Sequence, residues 1–210
     1  MYKKNTRKQI HRQMILDAAG KLFAGKGIEE TSMDDIAAAA NYTRRTLYAY
    51  FKSRDEICLA VFIDQLISRW AYQKEQLITA KSGFEKIITW ARSFYRYSLD
   101  HPQSLKMSIY WDYKGIDRNR ISLAVFKSFK IINDELADGL RDIFNLGLID
   151  GSLRPDLEVE ISISQFLYCL RSIVNRAVSP GYTFTRFKPD KYVDNYLTLY
   201  QRAICNSGDK

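Results

Sequence analysis

Histidine occurs only at positions 11 and 101, and cysteine only at 58, 169 and 205. The cysteines form no pair at metal-binding spacing, and the two histidines fall in different regions, so neither a zinc site nor a Cys–His nucleophile has local support. Three separated thiols favour free, buried cysteines in a reducing compartment over a disulfide framework. Glycine never gathers into a phosphate-cradling loop, and no Gly-x-Ser-x-Gly elbow occurs. The chain therefore does not read as an enzyme, and no cofactor or metal is expected. No apolar run approaches the roughly 20 residues that span a bilayer. No apolar segment follows the basic N-terminus, so neither a membrane span nor a signal peptide is expected and the expected location is cytoplasmic. Strand-like alternation and internal repeats are also missing, which leaves an all-α fold.

What is present is a chain of 210 residues, 46% hydrophobic and 27% charged, which is the balance of an ordinary globular protein with room for one or two cored domains. The net charge of +8 is unevenly spread. Residues 1–54 hold 11 Lys/Arg and 5 Asp/Glu, a net of +6; residues 55–210 hold 21 and 19, a net of +2. Positive charge thus concentrates in one quarter of the chain, as binding to phosphates requires.

That quarter contains the stretch Thr31–Arg54, TSMDDIAAAANYTRRTLYAYFKSR. Ser32 stands three residues before Asp35, a capping box with Asp in the Glu position. Ile36, Ala37 and Ala40 repeat at helical spacing, and Asn41 falls where a turn needs a residue tolerant of positive φ. Thr43 suits the N-cap of a second helix. That helix turns Leu47 and Phe51 inward and carries Arg44, Arg45, Thr46, Tyr48 and Tyr50 outward. Two short helices across a tight turn, the second bearing guanidinium and hydroxyl groups, form a helix-turn-helix DNA reader. Arg44 and Arg45 are candidates for bidentate contact with guanine, and Thr46 for a thymine methyl or a hydrogen bond. Thr31, Ser32 and Thr43 lie at helix N-termini, where free N–H groups favour a phosphate.

The wording from Thr43 to Ile57, TRRTLYAYFKSRDEI, closely resembles the signature of the TetR (tetracycline-repressor) family: Ser/Thr, a basic residue, a small residue, Thr-Leu-Tyr, any residue, Tyr or His, Phe, then Lys. The resemblance is strong over residues 10–58 and looser beyond. It implies phosphate and backbone contacts for Tyr48, Tyr50 and Lys52. Two departures stand out. Asn41-Tyr42 replaces the usual Gly-Val, and Arg45 replaces a small residue, adding a guanidinium to the reading face.

In chain order, the periodicity predicts about nine helices. The basic arm 1–9 either reaches along DNA or is a disordered start. A first helix spans roughly 8–25, with Phe23, Ile36, Leu47 and Phe51 as the core of a three-helix module. Ser53 and Glu56 open a fourth helix to about residue 80, a mechanical link between a DNA-binding domain at 1–54 and the rest at 55–210. Further helices are expected at 84–100, from Pro102 to Gly115, 119–146, 156–178 and 189–205. Pro180-Gly181 should stop the eighth. That helix is apolar on more than one face, so it must be covered on more than one side.

The family resemblance implies that residues 55–210 form a ligand-binding and dimerisation domain. The protein would bind a double-stranded, pseudo-palindromic operator as a homodimer and release it on binding a small-molecule effector. Seven aromatics lie between Trp90 and Tyr113, and hydrophobic, aromatic or lipid-like effectors are the favoured class. Candidate pocket residues are Trp90, Phe94, Tyr97, Met107, Tyr110, Trp111, Phe129 and Phe166, with ordinary helix core as the competing explanation for each. A four-helix dimer bundle would use Ile161, Tyr168, Val193, Tyr196, Leu197, Tyr200 and Ile204. Repression is the expected sign; an activator or adaptor without an effector is the alternative.

Overall fold

The computed structural model describes residues 2–179 and 187–206, with side chains from residue 7 onward. Among them are nine helices: α1 Tyr2–Gly25, α2 Met33–Ala39, α3 Arg44–Tyr50, α4 Arg54–Leu77, α5 Gly83–Asp100, α6 Pro102–Lys114, α7 Leu123–Ile149, α8 Val159–Val178 and α9 Pro189–Ile204. No strand occurs among the described residues, only an isolated antiparallel bridge between Leu153 and Cys205. No helix there is long and apolar enough to cross a membrane.

Most predicted helices appear within a few residues, and the differences have local causes. The backbone of α1 is already helical at Tyr2 rather than 8, in a segment free of Gly and Pro. α7 starts at Leu123 instead of 119 because the Asp117 carboxylate accepts from Asn119 N at 2.9 Å, closing a separate turn. Ser122 then caps the helix, its Oγ accepting from Val125 N. α8 ends at Val178 with Ser179 as its C-cap; Pro180 and Gly181 lie outside the described residues.

The chain divides into two compact units. Unit 1 is Met1–Ile67 with Met107–Ile132; unit 2 is Ser68–Lys106 with Asn133–Lys210. The expected boundary at 54/55 falls inside unit 1, and α4, α6 and α7 each contribute residues to both units.

The core of unit 1 joins Ile15, Ala19 and Phe23 of α1 to Ile36, Leu47, Phe51 and Ile57, all buried. In unit 2, Ile87, Phe94, Phe144, Phe166, Leu170 and Val174 are sealed inside. Two glycines allow close approach there. A Cβ on Gly83 would lie 2.2 Å from the Gly147 backbone nitrogen, so only glycine lets the start of α5 meet the end of α7. A Cβ on Gly139 would lie 2.7 Å from the Trp70 ring, whose Nε1 donates to Glu135 at 2.9 Å.

Candidate nucleic-acid interface

α2 begins where the sequence predicts. Ser32 Oγ accepts from Asp35 N at 3.1 Å, and the Asp35 carboxylate accepts from Ser32 N at 2.8 Å. Lys26 reaches the same carboxylate at 2.7 Å and, with Ser32, holds its pKa far below the usual carboxylate range. The helix ends on Ala40, and Asn41 adopts φ 57°, the left-handed conformation that Asn tolerates better than most side chains. Asn41 N and Tyr42 N donate back to Ala38 O and Ala37 O, which satisfies the carbonyl end of α2. The Tyr42 ring lies edge-on to His11 of α1, its hydroxyl hydrogen-bonded to His11 Nδ1. The Asn41-Tyr42 variant of the turn is thus tied to α1 by the tyrosine.

Thr43 caps α3, its Oγ1 accepting from Thr46 N at 3.1 Å and sharing a hydrogen bond with Thr46 Oγ1 at 2.9 Å. Leu47 and Phe51 anchor α3 in the core. The opposite face presents Arg44, Arg45, Tyr48 and, just beyond, Lys52, all exposed. Arg44 donates to Asp34 at 3.0 Å and lies over the Tyr48 ring at 5.8 Å. Tyr48, then Asp34, push its pKa up. Tyr50 is half-buried beside His11. Ser32 and Thr43 are exposed at their helix starts. Thr31 departs from expectation. It is buried, and its hydroxyl donates to Gly27 O at 2.6 Å, closing the loop before α2 instead of facing solvent.

Behind this head lies a charged cluster that the sequence analysis did not single out. Asp55, buried at the start of α4, meets Arg54 and Lys114 at 3.3 Å and Arg120 at 3.1 Å. Arg54 also donates to Glu29 O and Thr31 O in the loop before α2, and pairs with the Glu29 carboxylate at 3.0 Å. That pairing lowers the Glu29 pKa. Glu56, also buried, accepts from Lys52 N at 2.5 Å and from the Ser122 hydroxyl. Burial opposes the charge on Lys114, but Tyr110 and Asp55 outweigh it and raise its pKa. Cys58, beneath the cluster, has its thiol pushed up to about 12, chiefly by burial. Residues from the end of α6 and from the segment before α7 therefore grip the start of α4, which in turn braces the loop leading to α2.

The eight expected pocket residues divide between the units. Trp90, Phe94, Tyr97 and Phe166 are buried together in unit 2, Trp90 stacked on Phe94 and tilted against Phe166, each at 5.7 Å. Met107, Tyr110, Trp111 and Phe129 belong to unit 1, where Tyr110 lies edge-on to Trp111 and Phe129 faces Phe62. Tyr113, another of the predicted aromatic group, is almost fully exposed.

The expected dimer stripe on α9 is corrected. Val193, Leu197 and Ile204 are buried within the single chain, and Tyr200 packs on Phe166 at 5.0 Å while donating to Ser162 O. Tyr196 is half-buried and stacks on Tyr200. Those side chains serve the subunit core. Ile161 and Tyr168 remain on the surface, 51% and 63% exposed. Among the described residues, no cluster of His, Cys, Asp and Glu is arranged to hold a metal.

Comparison with known proteins gives a consistent picture. A family model described as bacterial regulatory proteins, tetR family, matches residues 15–61. The chain is 30% identical over 205 residues to the HTH-type transcriptional repressor KstR2 of Mycolicibacterium smegmatis, covering 95% of this chain and 93% of that protein. It is 27% identical to KstR2 of Rhodococcus jostii, with 91% and 90% covered. The solved structure of the ketosteroid transcriptional regulator KstR2 of Mycobacterium tuberculosis superposes with a TM-score of 0.68 at 20% identity, covering 93% of this chain and 95% of that one.

Proposed function

The chain belongs to the TetR family of bacterial regulatory proteins and is a DNA-binding transcriptional regulator rather than an enzyme, and from that premise we propose that it acts as a dimeric repressor released by a small-molecule effector. One observation carries the DNA-reading part. α3 is pinned by Leu47 and Phe51 and exposes Arg44, Arg45 and Tyr48 on its outer side, on a head that holds most of the chain's net positive charge. Such a helix fits the major groove. Arg44 and Arg45 read base edges, with Asp34 and Tyr48 aiming Arg44. Thr46 contacts a neighbouring base, while Ser32, Thr43, Tyr48, Tyr50 and Lys52 meet the backbone. Repression is the sign because the two KstR2 relatives, which match nine-tenths or more of this chain, are named repressors.

The dimer rests on α8. Its outer face carries Ile161, Ser164, Gln165, Tyr168, Cys169 and Ser172, all exposed and none charged, in the i, i+3, i+4, i+7 spacing of one stripe. A stripe with exposed Ile and Tyr and no charged member, flanked by Arg171 over the Tyr168 ring at 5.0 Å, suits a two-fold contact with its own copy. Two heads would then address major grooves roughly 34–36 Å apart, on a pseudo-palindrome.

Residues 55–210 sense the effector, and the buried rings Trp90, Phe94, Tyr97 and Phe166 favour an apolar or aromatic one. The Asp55 cluster is the coupling device, because it joins the end of α6 and the segment before α7 to α4 and, through Arg54, to the loop before α2. Effector binding must favour one arrangement of that cluster over another to change operator affinity. The test is footprinting of the full-length protein on its own upstream region. Two protected half-sites about one helical turn apart are expected, overlapping the promoter. A single unsymmetrical footprint would overturn the dimer reading, and a site wholly upstream would overturn repression.

A further inference from the structure

Unit 2 contains a positive charge that its own fold does not neutralise. Arg69 of α4 is 7% exposed, and its Nε has no hydrogen-bond partner. Its guanidinium carbon lies 5.1 Å from the centroid of the Phe94 ring. The titratable groups acting on it are the Tyr97 phenol and a second cation, Arg171. Among the described residues no carboxylate stands within ion-pair distance of it. Burial first, and the repulsion of Arg171 after it, push its pKa down to about 10.

Other unanswered polar atoms lie alongside. Gln73, one helical turn further along α4, is fully buried. Its Nε2 donates to Trp90 O at 3.3 Å, but its Oε1 accepts nothing. Trp90 Nε1, on the ring that stacks against Phe94, also has no partner. Buried polar groups are paired in the great majority of folded chains, and a buried charge without a partner strongly opposes folding. Arg69, Gln73 and Trp90 therefore form a polar point among the buried rings of Phe94, Tyr97 and Phe166. Guanidinium is the side chain best matched to a carboxylate, through two parallel N–H donors. A buried guanidinium flanked by neutral amide and indole groups, with Arg171 as the further charge acting on it, matches an anionic group such as a carboxylate.

Resting on the reading of this region as the effector-binding part, we propose that Arg69 is the anion-recognising residue of the effector site and that the effector is an organic carboxylate on an apolar, ring-bearing body. The carboxylate supplies the missing counter-charge, the rings of Trp90, Phe94 and Phe166 receive the apolar body, and the spare donor on Trp90 orients it.

The full-length protein is titrated calorimetrically with naphthalene-2-acetate and with naphthalene-2-acetamide, a neutral compound of nearly the same shape. The wild type should bind the acetate at least tenfold more tightly. Arg69→Met should bring that ratio close to one and, without ligand, should melt at the same or a higher temperature, since it removes an uncompensated charge. Arg69→Lys, which keeps the charge as a point, should retain part of the preference. A lowered melting temperature for Arg69→Met, or an unchanged acetate-to-amide ratio, overturns the proposal by making the arginine structural. Equal binding of both compounds to the wild type overturns the anion site while leaving effector binding standing. If neither compound binds, nor dodecanoate and its amide, the effector reading falls and this proposal with it.

Discussion

Replacing Asp55 with asparagine removes a charge at the centre of unit 1 while keeping the shape of the side chain. The carboxylate is buried and faces Arg54, Lys114 and Arg120 at 3.1–3.3 Å. Breaking a fully buried ion pair costs about 3–5 kcal/mol, whereas exposed pairs contribute about 0–1 kcal/mol. The three cations decide where between these limits Asp55 falls. The Arg120 side chain is 52% exposed and can rehydrate; those of Arg54 and Lys114 are 18% and 27% exposed and largely cannot. A loss of about 2–3 kcal/mol is therefore expected for Asp55→Asn. For a chain of this size each kcal/mol lowers Tm by about 2–4 °C, so calorimetry should show a fall of about 4–12 °C. The variant also leaves three cations facing one another, so adding Lys114→Met should cost less than the sum of the single losses, with a coupling of about 1 kcal/mol. Because Arg54 braces the loop before α2, operator affinity should fall as well, at temperatures where the variant remains folded. A loss below about 0.5 kcal/mol, or strict additivity of the double variant, would refute the idea that Asp55 is the hub of a network.

Four other outcomes are expected. Arg44→Ala should weaken operator binding roughly ten- to a hundredfold and relax preference at one base position; an equal loss on all sequences would make Arg44 a phosphate contact. Lys52→Ala should weaken binding uniformly and reduce the salt slope by about one, and a slope that does not move would remove Lys52 from the interface. Asn41→Gly should leave stability within a few tenths of a kcal/mol, whereas Asn41→Val should cost about 1–2 kcal/mol because φ is 57° there; equal melting temperatures for the two would show that the turn relaxes. At pH 8, Cys58 should resist a thiol reagent in the native state, since its pKa is pushed up to about 12, while exposed Cys169 should react in dilute protein and become protected as the dimer forms. Concentration-independent labelling of Cys169 would argue against α8 as the dimer face.

The helix-turn-helix was legible in the sequence because its instructions are local. Ser32 and Asp35, Asn41, and Thr43 with Thr46 each act within four residues, and each forms the predicted hydrogen bond or backbone angle. The apolar stripe of α9 was equally legible as a stripe, but periodicity identifies a buried face without saying what buries it. Val193, Leu197 and Ile204 are covered by their own chain, whereas Ile161 and Tyr168 on the outer face of α8 are exposed. Thr31 failed for a similar reason: its place before a helix start was visible, but not that its hydroxyl would turn back to Gly27. The Asp55 cluster was illegible because its partners come from residues 29, 114 and 120. A charge run such as Arg54-Asp55-Glu56 usually reads as solvated surface, and only tertiary packing reveals Asp55 and Glu56 as buried.

Asp55 and Arg69 pose the same physical problem on the same helix, a charge withdrawn from water, and they meet it differently. Asp55 is answered from within the chain by three cations, and a polar group so fully satisfied rigidifies its surroundings and fixes one arrangement. Arg69 is left with aromatic neighbours and an unpartnered nitrogen. A chain selected only for stability would replace Arg69 with an apolar residue of similar volume, because such replacements are often neutral or stabilising. The proposed carboxylate effector would supply the missing counter-charge from outside, and it would act by binding one state better than another. That differential affinity is the condition any effector must meet to shift a conformational equilibrium. α4 carries the unanswered charge in one unit and the answered one in the other, and through Asp55 and Arg54 it reaches the loop that seats the reading helices. A ligand that neutralised Arg69 would therefore act on α4, the helix whose first turn carries Arg54 and Asp55.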